Sequence, residues 1–185
     1  MGQLVDGDHQ GNAGGMEVNA GPYTLTVNAI GASFSFSGGP NFTYDGGVKS
    51  VSVSASPGGA TFDTSGTYSA TNAGTYTASA AANGNYSGVA SYTWSIGQAG
   101  QGAVGISPSA QSIYTGQSVT FTASGGSGSG AYTWGGDASG PGTTKTVTFP
   151  TAGTRTVTVY RAGDGNFNDS NTATATITVV ARSSS

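Results

Sequence analysis

The sequence predicts an all-β chain of two tandem β-sandwiches behind an N-terminal arm and an extra strand. Three observations carry this. Short runs alternate between apolar and polar residues, as in Ser33-Phe-Ser-Phe-Ser37 and in Val119, Phe121 and Ala123, and a period of two belongs to a strand with one wet and one dry face. Gly, Pro and Asn clusters separate these runs roughly every 8–12 residues, the spacing of sandwich turns. One strand also recurs at long range. Ala73-Gly-Thr-Tyr-Thr-Ala-Ser-Ala80 returns as Ala152-Gly-Thr-Arg-Thr-Val-Thr-Val159, and in weaker form as Ala20-Gly-Pro-Tyr-Thr-Leu-Thr-Val27. Such recurrence marks a repeated domain.

Composition sets the bounds. The 185 residues leave room for one large or two small domains. Glycine is abundant, at 33 residues, but it falls between β-patterned runs and keeps no collagen-like period. Nine Tyr, seven Phe and two Trp, with only 7% charged residues, give the opposite balance to a disordered chain. The net charge is −3, and the basic residues Lys49, Lys145, Arg155, Arg161 and Arg182 are scattered. That excludes a phosphate-tracking surface, hence nucleic-acid binding, and a polybasic membrane patch. No apolar run approaches the length of a membrane helix, so membrane insertion is not expected. With no cysteine there are no disulfides and no thiolate metal sites.

Residues 1–29 read as a polar arm plus the extra strand. Counted from Asp6, the arm spaces Asp6, Asp8, Gln10 and Glu17 nearly as an EF-hand loop spaces its oxygen ligands, with Gly11 at the turn position. Gln10 is a poor ligand and Ala13 replaces the branched apolar residue, so a solvated Asp/Gly arm is the preferred reading. Calcium is the one cofactor weighed here; otherwise none is expected. Tyr23, Leu25 and Val27 then alternate as an assembly strand. Only polar residues precede it, and its backbone needs partners, in its own first sandwich or in a neighbouring subunit by strand donation.

Residues 30–97 make the first sandwich. Ser33–Ser37, the strand and turn of Pro40–Gly47, Val48–Ser54, Ala60–Asp63, Gly66–Ala70, Thr75–Ala80 and Val89–Ile96 give about seven short strands, the pattern of an immunoglobulin-like domain. Asn83-Gly-Asn-Tyr86 is a tight hairpin-type turn. Tyr92, Trp94 and Ile96 share one face, with Trp94 as a core aromatic. Phe42-Thr-Tyr-Asp-Gly46, Asn72-Ala-Gly-Thr-Tyr76, Gly84-Asn-Tyr-Ser-Gly88 and Tyr92-Thr-Trp-Ser-Ile96 resemble the YDG (MBG) repeats, glycine-rich immunoglobulin-like modules of large bacterial surface proteins. The resemblance covers about residues 34–99. It implies stalk or spacer architecture and carries no catalytic residues.

Residues 98–103 read as a flexible linker of small residues that leaves the two domains free to move unless their interface is large. Residues 104–181 make the second sandwich, from Ile106–Ile113, Gln117–Ser124, Ala131–Trp134, Thr143–Pro150, Arg155–Arg161 and Thr172–Val180, with Trp134 as its core aromatic. Gly116-Gln-Ser-Val-Thr-Phe121, Tyr132-Thr-Trp134 and Ala152-Gly-Thr-Arg-Thr-Val157 resemble bacterial Ig-like or PKD-type domains. The diagnostic acidic run of the PKD family is reduced here to Trp134-Gly-Gly-Asp137. Residues 182–185 are a polar tail.

Little in the chain suggests catalysis. Its one histidine, His9, lies in the arm, far from any rigid orienting group. Scattered turn aspartates are better read as hydrogen-bonding their own backbone than as paired acids. Asp164-Gly-Asn-Phe-Asn-Asp169 concentrates oxygen ligands in one turn, but the matching Asn83-Gly-Asn-Tyr86 lacks the carboxylates, so a turn is preferred to calcium there too. Lys49 and Lys145 are the only lysines available for an intramolecular isopeptide bond, and neither has an evident acid partner in sequence. A tyrosine surface for stacking sugars is conceivable, though alternation sends most tyrosines to the cores.

The expected protein is therefore non-enzymatic and extracellular or virion-surface. The N-terminus lacks the basic and apolar segments of a signal peptide. The chain is accordingly expected to be a surface module of an assembly, either a phage virion (decoration, tail or fibre protein) or a filament. Its partners would be its own copies or other structural proteins. The alternative is a stalk or carbohydrate-binding repeat of a bacterial adhesin, with host-surface glycans as partners.

Overall fold

The computed structural model describes residues 25–183. The first sandwich contains β1 (Ile30–Gly31), β2 (Ser33–Ser37), β3 (Asn41–Thr43), β4 (Lys49–Ser50), β5 (Ser52–Ser56), β6 (Phe62–Gly66), β7 (Ser69–Ala70), β8 (Gly74–Ala82), β9 (Tyr86–Ser87) and β10 (Val89–Gly97). The second contains β11 (Val104–Ser107), β12 (Ala110–Tyr114), β13 (Ser118–Gly125), β14 (Tyr132–Gly136), β15 (Gly140–Pro141), β16 (Thr144–Thr148), β17 (Gly153–Arg161) and β18 (Ala173–Val180).

Both sandwiches use one topology. In domain 1 the order β3-β10-β8-β6 forms one layer, and the pairs β2-β5 and β4-β7 form the other. In domain 2 the layers run β12-β18-β17-β14-β15 and β11-β13-β16. The last strand, β10 or β18, lies antiparallel to β8 or β17 and takes a short parallel strand, β3 or β12, on its other side. That parallel strand ends alike in both domains: Tyr44 N–H donates to Gly97 O at 2.9 Å, and Thr115 N–H to Val180 O at 3.0 Å. The recurrent strand is β8 in one domain and β17 in the other. At its start the Tyr76 hydroxyl donates to Asn72 O at 2.6 Å, the tyrosine corner of immunoglobulin sandwiches. Arg155 holds the same register in β17 and donates to Thr151 Oγ1. These are two tandem immunoglobulin-like sandwiches, all β.

The cores differ in depth. Domain 2 packs a contiguous buried cluster in which Val119, Phe121 and Ala123 of β13 meet Trp134, Val157, Val159, Ile177 and Val179 of the facing layer. Domain 1 has a buried cluster of only Val51, Ala78, Trp94 and Ile96, ringed by half-buried aromatics such as Phe36, Phe42, Tyr68 and Tyr92. Its inward positions are Ala on β8 where β17 carries Val, so less apolar area leaves water.

Two segments depart from expectation. The run Ile106–Ile113 is interrupted at Pro108 into β11 and β12, which pair in different layers. Proline has no N–H to continue a ladder, so it suits the crossing point. Of the strand expected over Tyr23–Val27, Tyr23 lies outside the described residues. Leu25 and Val27 pair with no strand among those described, and the first paired residues are Ile30 and Gly31.

Candidate functional site at the joint between the sandwiches

The densest polar constellation in the described residues is where the two sandwiches meet. It is built on the β17–β18 connection, residues 162–172. Asp164 opens this loop as an Asx turn, because a short carboxylate can reach backbone amides two and three residues ahead. Its Oδ1 accepts from Asn166 N–H at 2.8 Å and Phe167 N–H at 2.9 Å. Its Oδ2 accepts from the Ser129 N–H at 2.6 Å and the Ser129 hydroxyl at 2.9 Å, pinning the β13–β14 loop to the same point. Asp169 Oδ1 accepts from Gly163 N–H at 2.7 Å and closes the other end.

The turn presents Asn166 and Phe167 to domain 1. Asn166 Oδ1 accepts from Ala73 N–H at 2.8 Å, and its Nδ2 donates to Asn72 Oδ1 at 3.2 Å. The Phe167 ring meets Tyr44 edge to face, with centroids 5.2 Å apart. The linker, expected to be loose, is held along its length. Ala99 pairs in parallel with Phe167, donating to Asn166 O and accepting from Asn168 N–H, both at 2.9 Å. Gln98 Nε2 donates to Asp164 O at 2.6 Å, and Gln101 Nε2 to Ala162 O and Asn168 O at 3.0 and 2.9 Å. Small residues supply little stiffness by composition, but here the glutamines supply it by hydrogen bonding.

A shallow cleft of 480 Å³ lies beside this loop, lined by Gln98, Asp164, Phe167, Asn168 and Asp169 among others. Its carboxylates are already engaged by backbone donors. Four hydrogen bonds favour the charged form of Asp164, the Ser129 amide first and the Asn166 amide next, and hold its pKa down to about 2 from 3.8. Because the folded value is the lower one, the stabilisation is complete above the unfolded value near pH 4 and is lost as pH falls from there towards 2. Melting temperature measured across that window should fall more steeply for the wild-type chain than for Asp164→Asn. Parallel curves would contradict the assignment.

The other sequence candidates are distributed as follows. Asp6, Asp8, His9, Gln10 and Glu17 lie outside the described residues, and among those described no three His, Asp or Glu side chains come together. Trp94 and Trp134 are both buried, with their indole N–H groups donating to Thr67 O at 2.9 Å and Gly142 O at 2.6 Å. Lys49 Nζ pairs with Asp45 at 2.5 Å on the surface, and Lys145 Nζ reaches only the Pro141 carbonyl, at 3.5 Å. Tyr68, Tyr76, Tyr92 and Tyr132 pack against the cores, whereas Tyr114 is exposed. Sequence reasoning missed the joint. The signal was the alignment of Asn83-Gly-Asn-Tyr86 with Asp164-Gly-Asn-Phe167, in which only the second copy carries the Asp.

Asn166 carries the side-chain hydrogen bonds that tie this loop to Asn72 and Ala73 of domain 1, beside the linker bonds from Gln98 and Gln101. Asn166→Ala should cost the joint about 1–2 kcal/mol, on the usual worth of two hydrogen bonds, one part-buried and one exposed, while leaving each sandwich's own melting intact. Small-angle scattering should then record a broader distribution of end-to-end distances. A profile superimposable on wild type would contradict it.

No family model matches the chain, and no curated protein matches it. Among solved structures it is similar to the crystal structure of the N-terminal four Ig domains of Dscam1 isoform 7.44. That match has 14% identity and a TM-score of 0.40, over 85% of this chain and 48% of that one. For isoform 9.44 the values are 12% and 0.40, over 86% and 47%. A structure on Dscam isoform specificity gives 11% and 0.41, over 80% and 47%. The chain thus spans at most about half the length of these matches, and for isoform 4.44 only 27%.

Proposed function

We propose that the chain is a non-enzymatic structural module that sets a fixed distance and orientation between neighbouring parts of an extracellular assembly. The observation that carries this reading is the joint. A linker that could have been a free tether is bonded to the next sandwich by paired backbone at Ala99 and Phe167. Two domains in series with such a joint transmit force and position, as a spacer must. The finer reading is a surface-displayed virion component (decoration, tail or fibre protein) or a filament subunit, made of a YDG/MBG-type repeat followed by a bacterial Ig-like or PKD-type domain. The second reading, a stalk of a bacterial adhesin, is favoured by the same joint and by the motif Phe42–Gly46.

Sedimentation of the full chain beside a chain lacking residues 1–29 tests the assembly reading. A defined oligomer lost on deletion supports it, and a strict monomer at high concentration removes self-assembly. Binding to a glycan array would favour the adhesin. A melting shift on adding chelator is the expected sign of calcium in the arm, and none is expected if the arm is only solvated.

A further inference from the structure

The entry into domain 1 copies the entry into domain 2. Ile30 pairs in parallel with Tyr86 as Ala99 pairs with Phe167. Ile30 N–H donates to Asn85 O at 2.9 Å, and Ala99 N–H to Asn166 O at 2.9 Å, at the same place in each turn. Counting back from these residues, Val27 stands three positions before Ile30, as Ile96 stands three before Ala99. Leu25 then falls on Trp94, and Tyr23-Thr-Leu-Thr-Val27 falls on Tyr92-Thr-Trp-Ser-Ile96, the last strand of domain 1. This differs from the register that the Ala-Gly motif suggests, which would match the segment to β8.

Exposure supports the match to a last strand. Trp94 and Ile96 are 1% and 2% exposed, whereas Leu25 and Val27 are 87% and 83% exposed. These are core-type residues at core-type spacing with no core of their own among the described residues. Pro22 supports it as well, since its register position is that of Ser91. Within β10, Ser95 N–H points away from β8 and donates to Pro40 O at 2.8 Å, so Ser91, four residues earlier, turns its N–H to the same side. β3 pairs only with Ser95–Gly97 and does not reach it. A proline there removes no bond to β8, which is where strand prolines are tolerated.

We propose that Leu25–Asn28 belong to the last strand of a further immunoglobulin-like sandwich that lies ahead of domain 1 and is supplied from outside these 185 residues. Leu25 and Val27 fill that sandwich's core, and Asn28–Ile30 leads into domain 1 as Gly97–Ala99 leads into domain 2. The acceptor is an immunoglobulin-like sandwich complete except for its last strand. This deepens the reading of the chain as a module in a series, but its test is independent of self-association: a monomeric chain would end the oligomer and leave the strand untouched.

The test inserts a second copy of residues 30–88, domain 1 without its last strand, between Asn19 and Ala20 of the full chain. Because that copy is built around Trp94, the probe also carries Leu25→Trp. Amides of the inserted copy and of residues 23–27 should exchange at least about a hundredfold more slowly than in the same insertion with Leu25→Asp and Val27→Asp. A control inserts residues 30–97, which bring their own last strand. If the control is protected and the probe is not, the proposal is wrong. Equal protection with and without the aspartates would also overturn it, since the strand would then not be in use.

Discussion

Replacing Trp94 with alanine is expected to unfold domain 1 and leave domain 2 folded. Trp94 is the largest side chain in a buried cluster that otherwise holds Val51, Ala78 and Ile96. Its ring meets Tyr76 at 4.8 Å and Phe42 at 5.9 Å between centroids, and its N–H satisfies the Thr67 carbonyl. Truncating a buried Trp costs about 3–5 kcal/mol. A domain below roughly 70–80 residues seldom has more than about that to lose. Residues 30–97 are such a domain, and its inner strand carries Ala78 and Ala80 where β17 places Val157 and Val159. Trp134→Ala removes a similar area from a cluster that also contains Phe121, Phe149 and Ile177, so domain 2 should be weakened but remain folded. Amide exchange resolves the two domains. Retained protection of β8 in Trp94→Ala would refute the prediction.

The asymmetry between the cores explains what could be read from the sequence. Strand positions were legible because period two survives in both domains: along Ser33–Ser37, Val119–Ala123 and Tyr92–Ile96 the residues that alternate inward are buried or half-buried. The repeat was legible because β8 and β17 keep their Ala-Gly-Thr start. The joint was not. Its strongest contacts are backbone pairs at Ala99 and side-chain bonds from Gln98, Gln101 and Asn166, and residue type alone does not say whether an amide side chain meets water or a neighbouring carbonyl. The register of the Leu25–Val27 segment was hidden for a related reason. Alternating Thr and apolar residues fit either of the last two strands, and the proposed register rests on the parallel pairing of Ile30 with Tyr86, which residue type does not show.

Gly136→Ala is expected to destabilise domain 2 far more than Gly116→Ala, although both glycines have positive φ. Gly136 ends β14 at φ +70°, and Gly66 ends β6 at φ +82°, opposite Val157 and Ala78 at the same register of β17 and β8. There the chain turns and the next amide bonds across: Asp137 N–H donates to Thr156 O at 2.9 Å, and Thr67 N–H to Thr77 O at 2.8 Å. A Cβ on Gly136 would sit 2.3 Å from the Thr156 carbonyl oxygen, and one on Gly66 would sit 2.2 Å from that of Thr77. Backbone oxygens inside a ladder cannot swing away as a flexible side chain can. The cost therefore has two parts, about 1–2 kcal/mol for an L-residue in the left-handed region and about 1–3 kcal/mol for the overlap. Gly116, at φ +83°, has nothing within 4 Å of the added carbon and bears only the first part. On the usual slope for a domain of this size, Gly136→Ala should lower the domain 2 melting temperature by roughly 10–40 °C and Gly116→Ala by roughly 5–15 °C. Equal shifts for the two variants would mean that the close approach to β17 does not govern this corner.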